Sequence, residues 1–134
     1  MTHSVQDVMT GPVVTVEQED TVAYALTIMR RRNIHSVIVN PPKPGEPYGI
    51  ITSTDVRDKV AALERDPRSL KCREIMSSPV VMARPDWTMK QCSIRMAELK
   101  VHHLPVADDF GKLVGMISAT DIFNAVEERG WEAL

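Results

Sequence analysis

An internal repeat constrains the fold of this sequence more than any other feature. One shift of the chain places Met9 on Met76 and His35 on His102. Because the later loop has one residue fewer than the earlier one, the segment 49–55 then falls on the segment 115–121. A duplication of this length predicts two copies of one structural unit. With 134 residues, the chain has room for two half-size units that share a core.

Each copy shows the same succession of hydrophobic patterns. A short apolar run, at 13–16 and again at 80–83, predicts an opening strand. Apolar residues spaced by three and four then predict an amphipathic helix, with Asp20 or Asp86 as its N-cap. The next two runs predict a strand pair, 37–39 with 49–52 in the first copy and 104–107 with 113–118 in the second.

A last helix closes each copy, and we expect it to begin at Asp55 or Asp121. Its predicted buried face consists of Val56, Val60 and Leu63 in the first copy, and of Ile122, Phe123 and Val126 in the second. The unit is therefore β-α-β-β-α. We place the boundary at Asp66-Pro67, a plausible helix stop, which gives repeats of 1–66 and 67–134.

Composition and charge exclude several classes of function. A net charge of -2 provides no field to attract nucleic acid. Neither a signal-peptide run nor a membrane-spanning stretch is recognisable, so we expect a cytoplasmic protein without a membrane partner. Cys72 and Cys92 lie in no metal-binding spacing and are interpreted as packing residues. Arg30–Arg32 is interpreted as a solvated helix end.

The motifs of common enzyme classes are missing from the sequence. It contains no nucleophile elbow, Walker loop, dinucleotide glycine fingerprint or zinc-protease motif. His102 and His103 are adjacent on a predicted strand, so they point to opposite faces and do not ligate one metal ion. We expect no enzyme activity, no catalytic cofactor and no metal site.

One motif recurs where a strand passes into the last helix. It reads Thr52-x-x-Asp55 in the first copy and Ser118-x-x-Asp121 in the second. A hydroxyl followed three residues later by an acid is typical of a capping box. The same carboxylate also suits a vicinal diol, since each of its oxygens accepts one hydroxyl. The two roles are compatible.

The sequence resembles a known family, the cystathionine-β-synthase-type (CBS) domain, which occurs in tandem pairs. The resemblance lies in segments 7–10 and 74–77, in the run 101–106, and in the two glycine-to-aspartate segments that end at Asp55 and Asp121. It implies an α/β (α+β) fold in which two β-α-β-β-α repeats pack sheet to sheet with pseudo-two-fold symmetry. Two clefts would then lie between the repeats.

The resemblance also implies a function and a set of site residues. Such pairs bind AMP, ADP, ATP, S-adenosylmethionine or NAD in the clefts, form homodimers and adjust the activity of a partner protein. The implied ribose-binding residues are Thr52, Thr54, Asp55, Ser118, Thr120 and Asp121. The implied phosphate-binding residues are His35, His102 and His103, each with an ordinary strand-edge histidine as the alternative. The strand residues that would flank an adenine ring are Val14, Ile38, Ile51, Val81, Pro105 and Ile117, although all six are first of all core candidates.

A second hypothesis comes from departures from repeat symmetry. Trp87 stands opposite Asp20, and Ala119 stands opposite Ser53. These differences keep open the alternative that the chain is a structural or oligomerisation scaffold without nucleotide binding.

Overall fold

The first repeat has the predicted order of strands and helices, the second lacks the opening strand, and a short helix precedes each. The structure is a computed structural model that describes residues 3–134. The first part of the chain forms α1 (Val5–Val8), β1 (Thr15–Glu17), α2 (Val22–Arg32), β2 (Ser36–Asn40), β3 (Gly49–Thr52) and α3 (Ser53–Val56), which continues as a π-helical turn (Arg57–Ala61). The later part forms α4 (Cys72–Ile75), α5 (Met89–Leu99), β4 (His103–Ala107), β5 (Leu113–Ser118), α6 (Ala119–Arg129) and a 3₁₀ turn (Gly130–Ala133).

The opening strand differs between the repeats. In the first repeat it begins at Thr15 rather than at the predicted Val13, pairs parallel to β2, and β2 pairs antiparallel to β3. In the second repeat the predicted strand 80–83 is wrong: only Ala83 forms a parallel bridge, with Val106, beside the antiparallel pair β4–β5. Pro85 follows closely where the first repeat has Gln18, and proline has no N–H to continue a ladder.

The chain divides into two compact units that do not coincide with the sequence repeats. One unit is 14–80, and the described residues of the other are 3–13 and 81–134. Each unit takes its short leading helix from the other half of the sequence. Ser77 exchanges two backbone hydrogen bonds of 2.9 Å with Ile50, and Thr10 exchanges two of 2.9 Å with Met116. The repeat boundary after Asp66 itself stays a prediction.

Two glycines allow these leading segments to lie close to the strands. A Cβ atom on Gly115 would lie 2.5 Å from the Met9 sulfur and 3.1 Å from the Thr10 carbonyl oxygen. A Cβ atom on Gly49 would lie 2.6 Å from the Met76 sulfur. Each methionine therefore occupies the space that a side chain would need. This packing explains why methionine and glycine recur together in both repeats.

The caps of the long helices differ from the predicted ones. Thr21 accepts a hydrogen bond from the Tyr24 amide at 3.1 Å, and Thr88 accepts one from the Gln91 amide at 3.0 Å. The prediction that Asp20 and Asp86 are the N-caps is therefore wrong. Asp20 instead accepts from the Glu17 amide at 2.8 Å, which closes the turn before the helix. In both helices a threonine shortly after the aspartate accepts the hydrogen bond that an N-cap requires.

The last helices begin earlier than predicted, at Ser53 and Ala119, because Thr52 and Ser118 are the caps. Only part of their predicted apolar face is buried. In the first repeat Val60 is buried, whereas Leu63 lies beyond the π-helical turn and is 60% exposed. In α6 the buried residue is Ala125, whereas Phe123 is 67% exposed and Val126 37% exposed. The prediction that Leu63, Phe123 and Val126 are buried is therefore wrong.

Other expectations about composition agree with the structure. Cys72 and Cys92 are free and buried, each in the core of its own unit. The three arginines 30–32 are exposed in the last turn of α2. Across residues 3–134, each helix is too short or too polar to cross a lipid bilayer.

Burial makes both thiols unreactive, which chemical modification can test. Burial raises the pKa of Cys72 to about 11, helped by the charge of Asp20, and burial also raises the pKa of Cys92 to about 11. Since the thiolate is the reacting species, we expect the folded chain at pH 8 to react slowly with a disulfide reagent and the guanidinium-unfolded chain to react at once. Rapid reaction of both thiols with the reagent in the folded chain would contradict this packing.

The close approach at Gly115 predicts a measurable coupling with Met9. Gly115→Ala should lower the free energy of unfolding by about 1–3 kcal/mol, and by less in a Met9→Ala background, because the truncated side chain leaves room. Urea unfolding of the unaltered chain, the two single variants and the double variant gives the coupling free energy. Gly11→Ala is the control, since its Cβ would lie 3.4 Å from the Val114 oxygen, an ordinary contact. An equal cost in both backgrounds would count against the proposed contact.

Candidate functional site

The two strand-to-helix junctions are capping boxes in the structure. At the first junction, the Thr52 amide donates to Asp55 Oδ2 at 2.9 Å, and the Asp55 amide donates to Thr52 Oγ1 at 3.4 Å. At the second, the Ser118 amide donates to Asp121 Oδ2 at 2.8 Å, and the Asp121 amide donates to Ser118 Oγ at 3.1 Å. The capping interpretation is confirmed. The capping box uses only Oδ2 of each carboxylate. The surroundings of Oδ1 therefore determine which further contacts each aspartate can make.

The Oδ1 atom of Asp55 is already paired. Lys59, one helical turn further along, places its Nζ 3.0 Å from Asp55 Oδ1. The same ammonium donates to the carbonyl oxygen of Ile75 at 2.8 Å. The Asp55 side chain is only 10% exposed. A charge-assisted contact in a largely buried place makes this carboxylate a poor acceptor for a further ligand.

The Oδ1 atom of Asp121 has no such partner. Among residues 3–134, no basic side chain forms an ion pair with Asp121, and its carboxylate accepts only from Ser118. The residue is half-buried rather than buried. Ala125 stands where the first repeat has Lys59. Asp121 therefore keeps a free acceptor oxygen at the start of a helix.

A cavity lies in front of Asp121, within the unit formed by 3–13 and 81–134. Its volume is about 580 Å³, within the range of small-molecule sites. One wall comes from α1 and the residues before it, and the other from α6. The lining residues are His3, Asp7, Val8, Asp121, Asn124, Ala125, Glu128 and Arg129.

The cavity wall opposite Asp121 carries a second carboxylate. Asp7 accepts a hydrogen bond from the Ser4 amide at 3.0 Å, and His3 Nδ1 lies 3.7 Å from Asp7 Oδ2. The Ser4 backbone hydrogen bond, followed by the Ser4 hydroxyl and His3, holds the pKa of Asp7 below its ordinary value. Asp7 is therefore ionised at neutral pH, and the cavity has acidic walls on both sides.

The predicted phosphate-binding histidines lie beside the helix starts. The carbonyl oxygen of His35 accepts from the Ser53 amide at 3.1 Å, and that of His102 accepts from the Ala119 amide at 2.8 Å. His103 pairs with Ser118 across the two strands. His102 lines a separate, mostly apolar cavity of about 380 Å³ between α5 and α6. The structure thus brings each histidine next to its helix start but does not place His102 in the Asp121 cavity.

The remaining predicted contacts divide by burial. Thr54 and Thr120 are exposed in the first turn of their helices. Ile51 and Ile117 are fully buried in the cores of their own units, and Val14 and Val81 pack against those cores. Ile38 and Pro105 are also fully buried, on the strand faces opposite their core neighbours. The ribose, phosphate and adenine roles stay predictions.

Sequence reasoning missed the residues that distinguish the two junctions. Lys59 was not singled out, although an acid followed four residues later by a lysine on a helix is a standard pairing. The cavity residues Asn124, Glu128 and Arg129 were also missed, because only folding brings α6 beside residues 3–8. Within residues 3–134, no group of three His, Cys, Asp or Glu side chains is arranged to hold a metal ion.

Comparison with known sequences identifies a family. The sequence model described as CBS domain matches the chain twice, over residues 5–62 and 72–128. An uncharacterized protein of Methanopyrus kandleri is 34% identical over 119 residues, which make up 89% of this chain and 60% of that protein. A homoserine O-acetyltransferase of Methanococcus vannielii is 32% identical over 123 residues, 91% of this chain but 24% of that enzyme. The chain thus spans less than two thirds of either relative.

Comparison with solved structures leads to the same family. A hexameric CBS-CP12 protein from bloom-forming cyanobacteria matches with a TM-score of 0.90 and 34% identity, over 96% of this chain and 76% of that one. The CBS domain pair of protein MJ0100, in complex with 5′-methylthioadenosine and S-adenosyl-L-methionine, matches with a TM-score of 0.83 and 26% identity, over 96% and 99% of the two chains. The chain therefore belongs to the CBS-domain family and carries two CBS domains in tandem.

Proposed function

We propose that this CBS pair is a regulatory module that binds an adenosine-containing ligand, AMP, ADP or ATP, or else S-adenosylmethionine or NAD. The observation that carries the proposal is the free Oδ1 of Asp121 beside an open cavity. Oδ1 has two free lone pairs. Oδ2 has one free lone pair left, because the other accepts the hydrogen bond from the Ser118 amide. Such a carboxylate is suited to accept both hydroxyls of a ribose.

Two further observations support an adenosine ligand. The similar MJ0100 pair was crystallised with 5′-methylthioadenosine and S-adenosyl-L-methionine, both of which contain a ribose diol and an adenine ring. The cavity volume of about 580 Å³ is sufficient for a nucleoside. Within the proposal, Ser118 and Thr120 support the ribose at Asp121. The phosphate roles of His35, His102 and His103, and the adenine roles of Val14, Ile38, Ile51, Val81, Pro105 and Ile117, stay predictions from the family resemblance, since none of these residues lines the Asp121 cavity.

Regulation would follow from differential binding. A ligand changes a conformational equilibrium only by the difference between its affinities for the two states. We propose that the occupied and empty forms differ in their affinity for a partner protein in the cytoplasm, and that the chain itself catalyses no reaction. The homoserine O-acetyltransferase relative contains a segment like this one within a longer enzyme, which suits a module that acts on an attached or separate protein.

A specific observation favours the scaffold alternative. Phe123, Trp131 and Leu134 are 67%, 82% and 39% exposed at the carboxyl end of the chain. Exposed apolar side chains mark a protein–protein interface when they form a contiguous patch, and these three are candidates for such a patch. The CBS-CP12 protein of the same fold is hexameric. Self-association into a homodimer is compatible with ligand binding, and a pure scaffold would show association without it.

Deoxynucleotide analogues test the diol contact. We expect ATP or S-adenosylmethionine to bind the unaltered chain, and 2′-deoxy-ATP to bind about 10-fold to 100-fold more weakly than ATP, because one hydrogen bond to a charged group is lost. In Asp121→Asn the preference for ATP over 2′-deoxy-ATP should shrink. Isothermal titration calorimetry measures both affinities, with guanosine triphosphate as the base control. If the unaltered chain bound none of AMP, ADP, ATP, NAD and S-adenosylmethionine, the result would support the scaffold alternative.

A further inference from the structure

The two repeats differ at one position that controls access to the aspartate. Lys59 lies four residues after Asp55, and the matching residue after Asp121 is Ala125. Residues four apart on a helix are neighbours, so a lysine at this position reaches back to the carboxylate. Lys59 does so at 3.0 Å. Ala125 ends at Cβ and leaves Asp121 open.

The contacts of Lys59 show what a ligand would have to displace. Its ammonium is shared between the Asp55 carboxylate and the Ile75 carbonyl oxygen, which lies at the end of α4. A neutral diol at Asp55 would replace a charge-assisted contact with weaker neutral ones. If Lys59 moved away to admit the diol, the Ile75 carbonyl oxygen would also lose its donor. Ligand binding at Asp55 is therefore opposed by the fold itself.

The second unit has an open cavity in the matching place. The residue that corresponds to Ile75 is Val8, and Val8 and Ala125 both line the Asp121 cavity. Two other lining residues of this cavity are also more polar than their counterparts in the first unit. His3 stands where the first unit has buried Leu70, and Glu128 stands where it has Ala62. The Asp121 cavity therefore has polar side chains at positions where the first unit has Leu70 and Ala62, whereas the Asp55 carboxylate is paired with Lys59.

We propose that the residue four positions after the aspartate decides which repeat binds, so that Lys59 makes Asp55 a structural carboxylate and Ala125 makes Asp121 the ligand-binding one. This inference rests on the proposed function and makes it more specific. One chain then holds one nucleoside ligand through an aspartate. The competing role for Lys59, a direct contact to a ligand phosphate, predicts the opposite effect of its removal.

An exchange of the two side chains tests the assignment. The unaltered chain should bind one equivalent of ATP or S-adenosylmethionine in calorimetry. Ala125→Lys should weaken that binding at least about 10-fold, as expected when a charged hydrogen-bonding site is blocked. Lys59→Ala should add a second equivalent that is lost again in Lys59→Ala/Asp55→Asn. Val126→Lys is the matched control, because it adds the same charge to α6 one residue further along and therefore on another face.

The outcomes separate this inference from the proposed function. Two equivalents bound by the unaltered chain, full binding by Ala125→Lys, or loss of binding in Lys59→Ala would overturn the assignment and leave nucleotide binding intact. No binding by either the unaltered chain or Lys59→Ala would overturn both. Circular dichroism confirms that each variant is folded, and Lys59→Ala alone decides the question if the buried position 125 does not accept lysine.

Discussion

The hydrogen bond between an aspartate and the amide at the end of a strand fixes the site in both repeats. Asp55 and Asp121 each accept this bond through Oδ2, from Thr52 and Ser118. The bond satisfies an amide that the helix leaves unpaired and holds the carboxylate in one orientation. One oxygen of each carboxylate is thereby committed to folding, whereas the other is paired with Lys59 at Asp55 and forms no ion pair within residues 3–134 at Asp121. In the function that we propose, capping and ligand binding are two uses of Asp121.

The duplicated fold allows one aspartate to become structural while the other stays available. Both repeats keep the glycine, the methionine packed against it and the capping box, because these features maintain the junction. The position four residues after the aspartate takes no part in that packing requirement. Lysine there adds a contact to the first unit, and alanine leaves the second unit with an open cavity. In our proposal the two junctions therefore differ in ligand binding while they share one fold.

The sequence alone predicted the repeat, the strand pairs and the capping motif, because each depends on local spacing. For the fold, it failed where a single nearby residue decides between two local possibilities. Pro85 reduces the predicted strand of the second repeat to the single bridge of Ala83, and Thr21 and Thr88 replace the predicted caps. For the site, the sequence located both aspartates. It did not reveal that residues 3–8 build one wall of the Asp121 cavity, since that wall depends on the leading helix packing in the unit of the second repeat.

A crystal structure of the chain grown with S-adenosylmethionine tests the central claim most directly. We predict a ribose whose hydroxyls lie about 2.5–3.0 Å from Asp121 Oδ1, with the Lys59 ammonium still on Asp55. A ribose bound at Asp55 with Lys59 displaced, or a ligand that avoids Asp121 altogether, would contradict it.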